Sequence, residues 1–308
     1  MRSKSAPPSS AVNANAWAIC PHLLTDITMN ARVPPSCVEL ETKKHGLSKV
    51  GWVWINRPYD GNTIDRLTAQ EIIRAVGAFA KDAQVRAIVL AARGDSFSRG
   101  IEVQWLRSQA EAPINGALED ARKLAQLLQV LAECEKPTIA RVQGDAAGIG
   151  AGLAAACDIC IAADHACFTM GDDRLGMAPS VITPHLVRAI GARQCQRYFQ
   201  TNEPLTAARA CALGLAHETV PAELLDDKLT ALLASLLLGD VHAQHSANKL
   251  IRAIAAAPPA LDMTADAVRI GARMRAFPSV RERLGLQAER RSPAMHRITL
   301  DSQRCEAD

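Results

Sequence analysis

The amino-acid sequence predicts an α/β fold in which strands and helices alternate as far as about Leu224, followed by a region of helices alone. Three observations carry this prediction. Short β-branched runs recur at Val50–Ile55, Val85–Ala91 and Pro137–Val142. Apolar residues repeat with helical spacing between the first two runs, from Thr68 to Lys81. Beyond Leu224 the strand pattern stops and helical spacing continues. Strands that alternate with helices in this way favour a largely parallel sheet.

Turn residues bound the first predicted elements. The run VGWVWI closes on Asn56-Arg57-Pro58, which indicates a strand followed by a turn. The helix from Thr68 to Lys81 presents Ile72 and Val76 on one face. The run VRAIVLA then stops at Arg93-Gly94-Asp95, so it is interpreted as a second, buried strand.

The next elements follow the same order. A polar stretch around Pro113–Gly116 is predicted to be a loop, followed by a helix from about Leu118 to Glu133. The run PTIARV ends at Gln143-Gly144 as a third strand. A glycine-containing turn then opens an alanine-rich helix, and Cys157–Ala163 is predicted to be the fourth strand.

Three regions are predicted: a flexible extension at residues 1–36, an α/β core at 37–224 and a helical region at 225–308. The extension is rich in proline, serine and asparagine and has one acid, Asp26. It has no unbroken apolar centre of the kind that a secretory signal needs. A transit peptide stays open as an alternative, although only Arg2, Lys4 and Arg32 supply positive charge.

Composition excludes several classes of function. The 308 residues carry a net charge of +3, with 48% hydrophobic residues, so no nucleic-acid partner is expected. No apolar run approaches the roughly 18 residues of a membrane span, so no membrane association is expected. Nine cysteines at irregular spacing favour reduced thiols and a cytoplasmic location.

A possible metal site is considered at Cys157, Cys160, His165 and Cys167, which resemble four zinc ligands. In a strand, positions i and i+3 point to opposite faces, so the first two cysteines would diverge. The sequence therefore predicts no metal site.

Two segments are suited to presenting backbone N–H groups to a ligand: Phe97–Ile101 and Gly144–Gly150, the second of which opens a helix. Two N–H donors that converge on one carbonyl oxygen form an oxyanion hole. Asp145 in the second segment is interpreted as a helix N-cap or, alternatively, as a catalytic acid. Arg99 in the first is interpreted as a contact for a ligand phosphate or carboxylate, or as a surface arginine.

The order of these motifs resembles the crotonase, or enoyl-CoA hydratase/isomerase, superfamily from about Val38 to Met295. The chain reads WINRP, then VRAIVLAARGDSFSRGIEV, then KPTIARVQGDAAGIGAGLAAACDICIAAD, then FTMGDDRLG. The RLGxxP pattern at Arg174–Pro179, followed by RAIG and GLAHE, is closest to methylglutaconyl-CoA-type hydratases.

This resemblance implies a crotonase-like spiral of β-β-α turns and a C-terminal helical region that drives trimerisation. It implies a homo-trimer or hexamer, and an acyl-CoA or acyl-carrier thioester as the substrate. No separate cofactor is implied.

The resemblance also implies roles for single residues. It places the thioester oxygen on the N–H groups of Ile101 and Ile149, and Ile149 stands where the family has the middle of three glycines. Gly152 occupies the position of one catalytic Glu of the two-acid hydratases, and Asp172 occupies the position of the second. The residues expected to bind substrate beside the two amides are Arg99, Gly100 and Gly148.

Hydration of a 2-enoyl thioester, or the reverse reaction, is the leading functional hypothesis. Asp172 is the expected proton carrier, with Asp145 as a substitute for the missing Glu and Asp173 as a neighbouring candidate. A crotonase-fold decarboxylase or isomerase stays open, because those reactions need fewer proton-transfer groups. A catalytically weak pseudo-hydratase is the third alternative.

Overall fold

A six-stranded sheet forms the centre of the fold, and its four inner strands are those that the sequence predicts. In this computed structural model the structure describes residues 36–46, 48–111, 113–171, 178–256, 268–269 and 271. Strand order is β1-β2-β3-β4-β6-β9, with β1 antiparallel to β2 and every other pair parallel. A second, three-stranded sheet has the order β5-β7-β8.

The strands are β1 (Val38–His45), β2 (Ser48–Ile55), β3 (Val85–Ala92), β4 (Thr138–Val142), β5 (Ala146–Ala147), β6 (Ile159–Ala163), β7 (Cys167–Thr169), β8 (Leu205–Thr206) and β9 (Glu218–Val220). The helices are α1 (Arg66–Lys81), α2 (Val103–Glu111), α3 (Ile114–Ala132), α4 (Ile149–Ala156), α5 (Thr183–Ile190), α6 (Ala192–Thr201), α7 (Ala207–Leu213), α8 (Leu225–Leu238) and α9 (Val241–Ala256).

The chain runs as a spiral of strand, short strand and helix. Each inner strand of the large sheet is followed by a short extended segment in the second layer and then by a helix. Isolated bridges continue this second layer beyond the three-stranded sheet, pairing Ile64 with Ile101 and Ser98 with Ala146. Since successive turns pair in both layers, the short segments after β2, β3, β4 and β6 lie beside one another. This is the β-β-α spiral that the family resemblance implies.

Successive side chains along the strands point to opposite faces of the large sheet, so the core consists of two layers. On β2, Val53 and Ile55 face the larger cluster with helices α1, α3, α4 and α5. Trp52 and Trp54 face the opposite side, where their rings stack at 5.2 Å between centroids. There Leu225, Leu229 and Leu233 of α8 cover the sheet. Helix α8 is thus held to the core by an apolar stripe with a spacing of four residues.

The structure differs from the sequence prediction at several places. Cys157 is the C-cap of α4 rather than a strand residue, and β6 begins at Ile159. Pro113 is the N-cap of α3, so most of the predicted loop at 113–116 is the first turn of a helix. Helix α2 and the edge strand β1 were not predicted, because both have mixed polar sequences with little periodicity.

The helical region after Leu224 is confirmed in the described part, where α8 and α9 follow. The extension at residues 1–35 lies outside the described residues, so its boundary stays a prediction. Within the described ranges, no helix is both long and apolar enough to cross a membrane.

Candidate active site

Backbone hydrogen bonds join the two predicted amide segments side by side. The Ala147 N–H donates to the Ser98 carbonyl at 2.8 Å. The N–H groups of Phe97 and Ser98 both donate to the Asp145 carbonyl at 3.0 Å. These bonds surround the bridge between Ser98 and Ala146 and fix its parallel register. The structure therefore places the two segments that the sequence singled out in one site.

Two glycines permit this close approach. A Cβ added at Gly150 would collide with the carbonyl oxygen of Ser98. A Cβ added at Gly144 would collide with the carbonyl oxygen of Asp95. Any other residue at these positions would push the segments apart, so both glycines are needed for the site to close.

The amide of Ile101 is held by bonds on either side of it. Ile64 N–H donates to the Gly100 carbonyl, and Glu102 N–H donates to the Ile64 carbonyl, both at 2.9 Å. In a parallel bridge of this kind, the N–H of Ile101 itself points away from Ile64. Among the described residues nothing accepts a hydrogen bond from it. Within the described part of the chain, this donor is therefore available to a ligand.

Ile149 is the first residue of α4, and its buried side chain is 3% exposed. The unusual backbone conformation of the turn falls on Gly148, with φ 51° and ψ −113°, and not on Ile149. A β-branched residue is therefore compatible with this position. Its N–H has no intrahelical partner, because the first turn of a helix leaves its donors free. No acceptor for it occurs in the part of the chain that the structure describes.

The two donors follow the same parallel bridge, each at the same number of residues beyond it. Ile101 lies three residues beyond Ser98, and Ile149 lies three residues beyond Ala146, its bridge partner. The start of α4 adds the positive end of the helix dipole. Two free N–H groups beside a positive helix end are suited to stabilising negative charge on a carbonyl oxygen.

Arg99 and Asp145 form an ion pair on the surface beside this turn. Nη2 of Arg99 lies 3.4 Å from Oδ2 of Asp145, and both side chains are at least half exposed. The N-cap of α4 is Gly148, without a side-chain cap, so the interpretation of Asp145 as the N-cap is wrong. The reason is that β5 intervenes, which leaves Asp145 four residues before the helix begins.

The predicted acids Asp172 and Asp173 lie outside the described residues, so their roles stay predictions. The described chain approaches them along β7, which pairs with β5 so that Thr169 lies opposite Ala147. The Gly148 N–H donates to the Thr169 carbonyl at 2.9 Å. The described chain thus reaches Gly171 from a strand that is bonded to the turn at Gly148.

The missing acid at Gly152 has a packing explanation. A Cβ added there would lie 2.5 Å from Cγ2 and 3.0 Å from Cβ of Ile182, which precedes α5. It would also lie 3.5 Å from Cδ2 of Leu128 on α3. Ile182 is 3% exposed, so the space beside Gly152 is occupied by buried side chains. A second catalytic carboxylate cannot be held there unless α5 moves.

We expect Gly152→Ala to destabilise the fold by about 1–3 kcal/mol, because the added methyl overpacks the contact with Ile182. Gly77 is the matched control, since it also lies within a helix but has no atom within 4 Å of an added Cβ. Gly77→Ala should stabilise by about 0.5–1 kcal/mol. Urea unfolding of both variants measures the difference. Equal effects at the two positions would show that Ile182 does not fill the site.

The buried thiols are not suited to nucleophilic chemistry. Burial raises the pKa of the Cys160 thiol to about 12, and burial likewise raises the pKa of Cys157 well above its usual range. Both are protonated at neutral pH, and a thiol is a weaker nucleophile than a thiolate. Within the described ranges, no three histidine, cysteine or acidic side chains are grouped so as to hold a metal ion.

Sequence reasoning missed two residues that shape this site. Ile182 fills the space beside Gly152, but no local pattern connects positions thirty residues apart. Glu102 accepts hydrogen bonds from the N–H groups of Gln104 and Trp105 at 2.9 and 2.8 Å, and thereby starts α2. An acid directly before a helix, where its side chain can accept from the first free N–H groups, is a signal that could have revealed α2.

Comparisons with known proteins agree with this geometry. The family model for enoyl-CoA hydratase/isomerase matches residues 46–294. A crotonyl-CoA hydratase of Syntrophomonas wolfei is 34% identical over 184 residues, which cover 58% of this chain and 69% of the relative. A trans-2-decenoyl-[acyl-carrier-protein] isomerase of Streptococcus mutans is 26% identical and covers 66% of this chain and 78% of the relative.

Solved structures show the same fold. An enoyl-CoA hydratase/isomerase (crotonase) of Legionella pneumophila superposes with a TM-score of 0.74 at 32% identity, covering 81% of this chain and 96% of that one. The sequence alignments cover less of each relative than this superposition does. They span about two thirds of the length of the curated relatives, for example 64% of a probable mitochondrial enoyl-CoA hydratase of Dictyostelium discoideum. The family match and the shared spiral confirm the resemblance, the fold class and the enzyme class that the sequence predicts: this chain belongs to the enoyl-CoA hydratase/isomerase family.

Proposed function

We propose that this chain adds water to a 2-enoyl thioester, or removes it from the 3-hydroxy product, and holds the thioester oxygen on the N–H groups of Ile101 and Ile149. The observation that supports this most is the pairing of the two segments at Ser98 and Ala146, because each donor lies three residues beyond this bridge and has no acceptor among the described residues. Negative charge develops on the thioester oxygen when water attacks the conjugated double bond. Preorganised donors at that oxygen lower the barrier more than they stabilise the substrate.

The proposed reaction proceeds through an enolate. Water forms a bond to C3 while the double-bond electrons move to the thioester oxygen, where the two amides stabilise them. Asp172 accepts the proton that the water loses and returns a proton to C2 as the carbonyl re-forms. Atoms balance, since one water is added across the double bond. A single carboxylate serves both transfers because Ile182 occupies the space beside Gly152.

The same packing at Gly152 supports an isomerase or decarboxylase as the second candidate. Isomerisation moves one proton between C4 and C2, and decarboxylation needs enolate stabilisation followed by one protonation. Both reactions use the paired amides, and neither needs two carboxylates. One relative is named a trans-2-decenoyl-[acyl-carrier-protein] isomerase, and this name also supports the second candidate.

One experiment separates these functions. The full chain is incubated with crotonyl-CoA and with 3-methylglutaconyl-CoA, and absorbance and product mass are followed. Hydration predicts loss of the conjugated absorbance and a gain of one water in mass. Isomerisation gives no change in mass, and decarboxylation gives a loss of carbon dioxide. Tight binding of either thioester without any product would contradict the proposed function and favour a pseudo-hydratase.

We propose further that the substrate is carried on CoA or an acyl-carrier arm, that no separate cofactor is needed, and that the enzyme is a cytoplasmic trimer or hexamer. Support for the assembly comes from apolar side chains on the described C-terminal helices: Leu238, Val241, Ile251 and Ile254 are each at least 45% exposed. Apolar surface of this kind is usually covered in an oligomer. Light scattering of the full chain gives the mass, and a monomer at micromolar concentration would contradict the proposed assembly.

A further inference from the structure

A buried carboxylate on α3 receives hydrogen bonds from two other helices close to the proposed oxyanion hole. Asp120 is 7% exposed, and its Oδ1 accepts from Nε of Arg66 at 2.9 Å and also from Nη2 of that guanidinium. Its Oδ2 accepts from Nε1 of Trp105 at 3.1 Å. We call these three residues the Asp120 cluster. A carboxylate buried to this extent is stable only when such partners satisfy it.

The cluster joins the two chain segments that hold the Ile101 amide. Ile64 and Ile101 form the parallel bridge described above. Arg66 lies two residues beyond Ile64, and Trp105 lies four residues beyond Ile101. Asp120 therefore binds both segments just after they leave the bridge, and it fixes their separation from outside the bridge itself.

Further bonds on both segments transmit this constraint to the backbone. On the Ile64 side, Asp65 accepts from Thr68 N–H at 2.7 Å and pairs with Nη1 of Arg57 at 2.6 Å, which fixes the start of α1. On the Ile101 side, Trp105 donates its backbone N–H to Glu102, and Glu102 donates its own N–H to Ile64. Trp105 is thus linked through Glu102 to Ile64, the bridge partner of Ile101.

We propose that the Asp120 cluster positions the N–H of Ile101 for transition-state stabilisation, with Asp120 and Trp105 as positioning residues that do not touch the substrate. The proposal rests on the proposed function, since it concerns the same oxyanion hole. A displacement of about 1 Å in a catalytic group can cost about 100-fold in rate, so a partial release of this amide is measurable.

The test uses Trp105→Phe, which keeps an aromatic ring in the core but removes the indole N–H together with part of the bicyclic ring. Trp54→Phe is a matched control, because Nε1 of Trp54 donates to Oε2 of Glu41 at the same 3.1 Å and its side chain is similarly buried, at 8% exposed. Trp54 lies on the opposite face of the sheet from the site. We measure kcat and KM with crotonyl-CoA for both variants and for the unchanged chain.

We expect Trp105→Phe to lower kcat about 10-fold with KM within about 2-fold, because a loosened oxyanion donor loses transition-state stabilisation rather than substrate binding. Trp54→Phe should change both values by less than about 2-fold, since its lost bond is remote from the reacting atoms. A fall in kcat no larger for Trp105→Phe than for Trp54→Phe would overturn the proposal.

A binding measurement separates this inference from the proposed function. Acetoacetyl-CoA forms an enolate that carries charge on its thioester oxygen, whereas butanoyl-CoA does not. Trp105→Phe should lower the affinity for acetoacetyl-CoA about 10-fold and the affinity for butanoyl-CoA much less. The reason is that only acetoacetyl-CoA places negative charge on the oxygen that the two amides bind. Equal weakening of both ligands would overturn the positioning role alone. If the unchanged chain binds neither ligand, the proposed function fails and this inference fails with it.

Asp120→Asn provides a second variant that alters the other half of the cluster. The amide keeps an oxygen for Trp105 but turns N–H donors towards the Arg66 guanidinium, so the link to α1 is lost. We expect the same selective loss of kcat and of acetoacetyl-CoA affinity. Normal kinetics in this variant would contradict the role of Asp120. If it does not fold, Trp105→Phe decides alone, because it leaves the charged pair intact.

Discussion

Asp172→Ala is expected to lower kcat with crotonyl-CoA by about 100- to 10,000-fold, which is the usual contribution of a general acid–base group. The reason is that Ile182 occupies the space beside Gly152, so no second carboxylate can share the proton transfers from that position. Initial rates measured with the purified variant give the loss, and a melting curve shows whether the fold is retained.

Two further variants make this test specific. Asp173→Ala removes the adjacent carboxylate, whose matched position in the family is not catalytic, and should retain most of the rate. Asp172→Glu restores the longer side chain found at this position in two-acid hydratases and should retain or raise the rate. If Asp172→Ala reacts at the unchanged rate, the proton-transfer role moves to Asp145 or Asp173 and the proposed mechanism is wrong.

Ile149→Pro should lower kcat by about 100- to 1,000-fold, because it deletes a single proposed oxyanion donor. Proline lacks the backbone N–H but is well tolerated at the first position of a helix, where Ile149 stands. Gly148 before it has no Cβ to clash with the proline ring. Circular dichroism and initial rates on the same sample separate a loss of the donor from a loss of the fold.

Ile149→Val is the control for the side chain. It keeps the N–H and shortens the buried residue by one methylene, which costs about 0.5–1.5 kcal/mol of stability. A far smaller change in kcat is expected than for proline. Similar rates in the valine and proline variants would mean that this N–H does not contact the reacting oxygen.

Much of the fold could be predicted from the sequence because the inner strands are apolar throughout. The β2 and β3 runs are buried on both faces, and such runs are recognisable without tertiary information. Helix α2 and strand β1 are mostly exposed and have mixed composition, so their identity depends on partners elsewhere in the chain. Glu102 defines the start of α2 through side-chain bonds that a periodicity analysis does not detect.

The candidate site was predictable to the level of two segments and not beyond. Glycine content identified the turns at residues 97–101 and 144–150, and the structure pairs them. The sequence did not reveal why Gly152 is a glycine, since Ile182 reaches it only through the packing of α5 on α4. It also misassigned Asp145, because the two-residue strand β5 is too short to be recognised before the helix.

A crystal structure of the full chain with acetoacetyl-CoA bound tests the central claim most directly. The account predicts that the thioester oxygen accepts hydrogen bonds from the N–H groups of both Ile101 and Ile149, at about 2.7–3.1 Å. It also predicts that the carboxylate of Asp172 is the acid nearest to C2 and C3 of the acyl group. A thioester oxygen bound away from these two amides would contradict the assignment of the oxyanion hole and, with it, the proposed reaction.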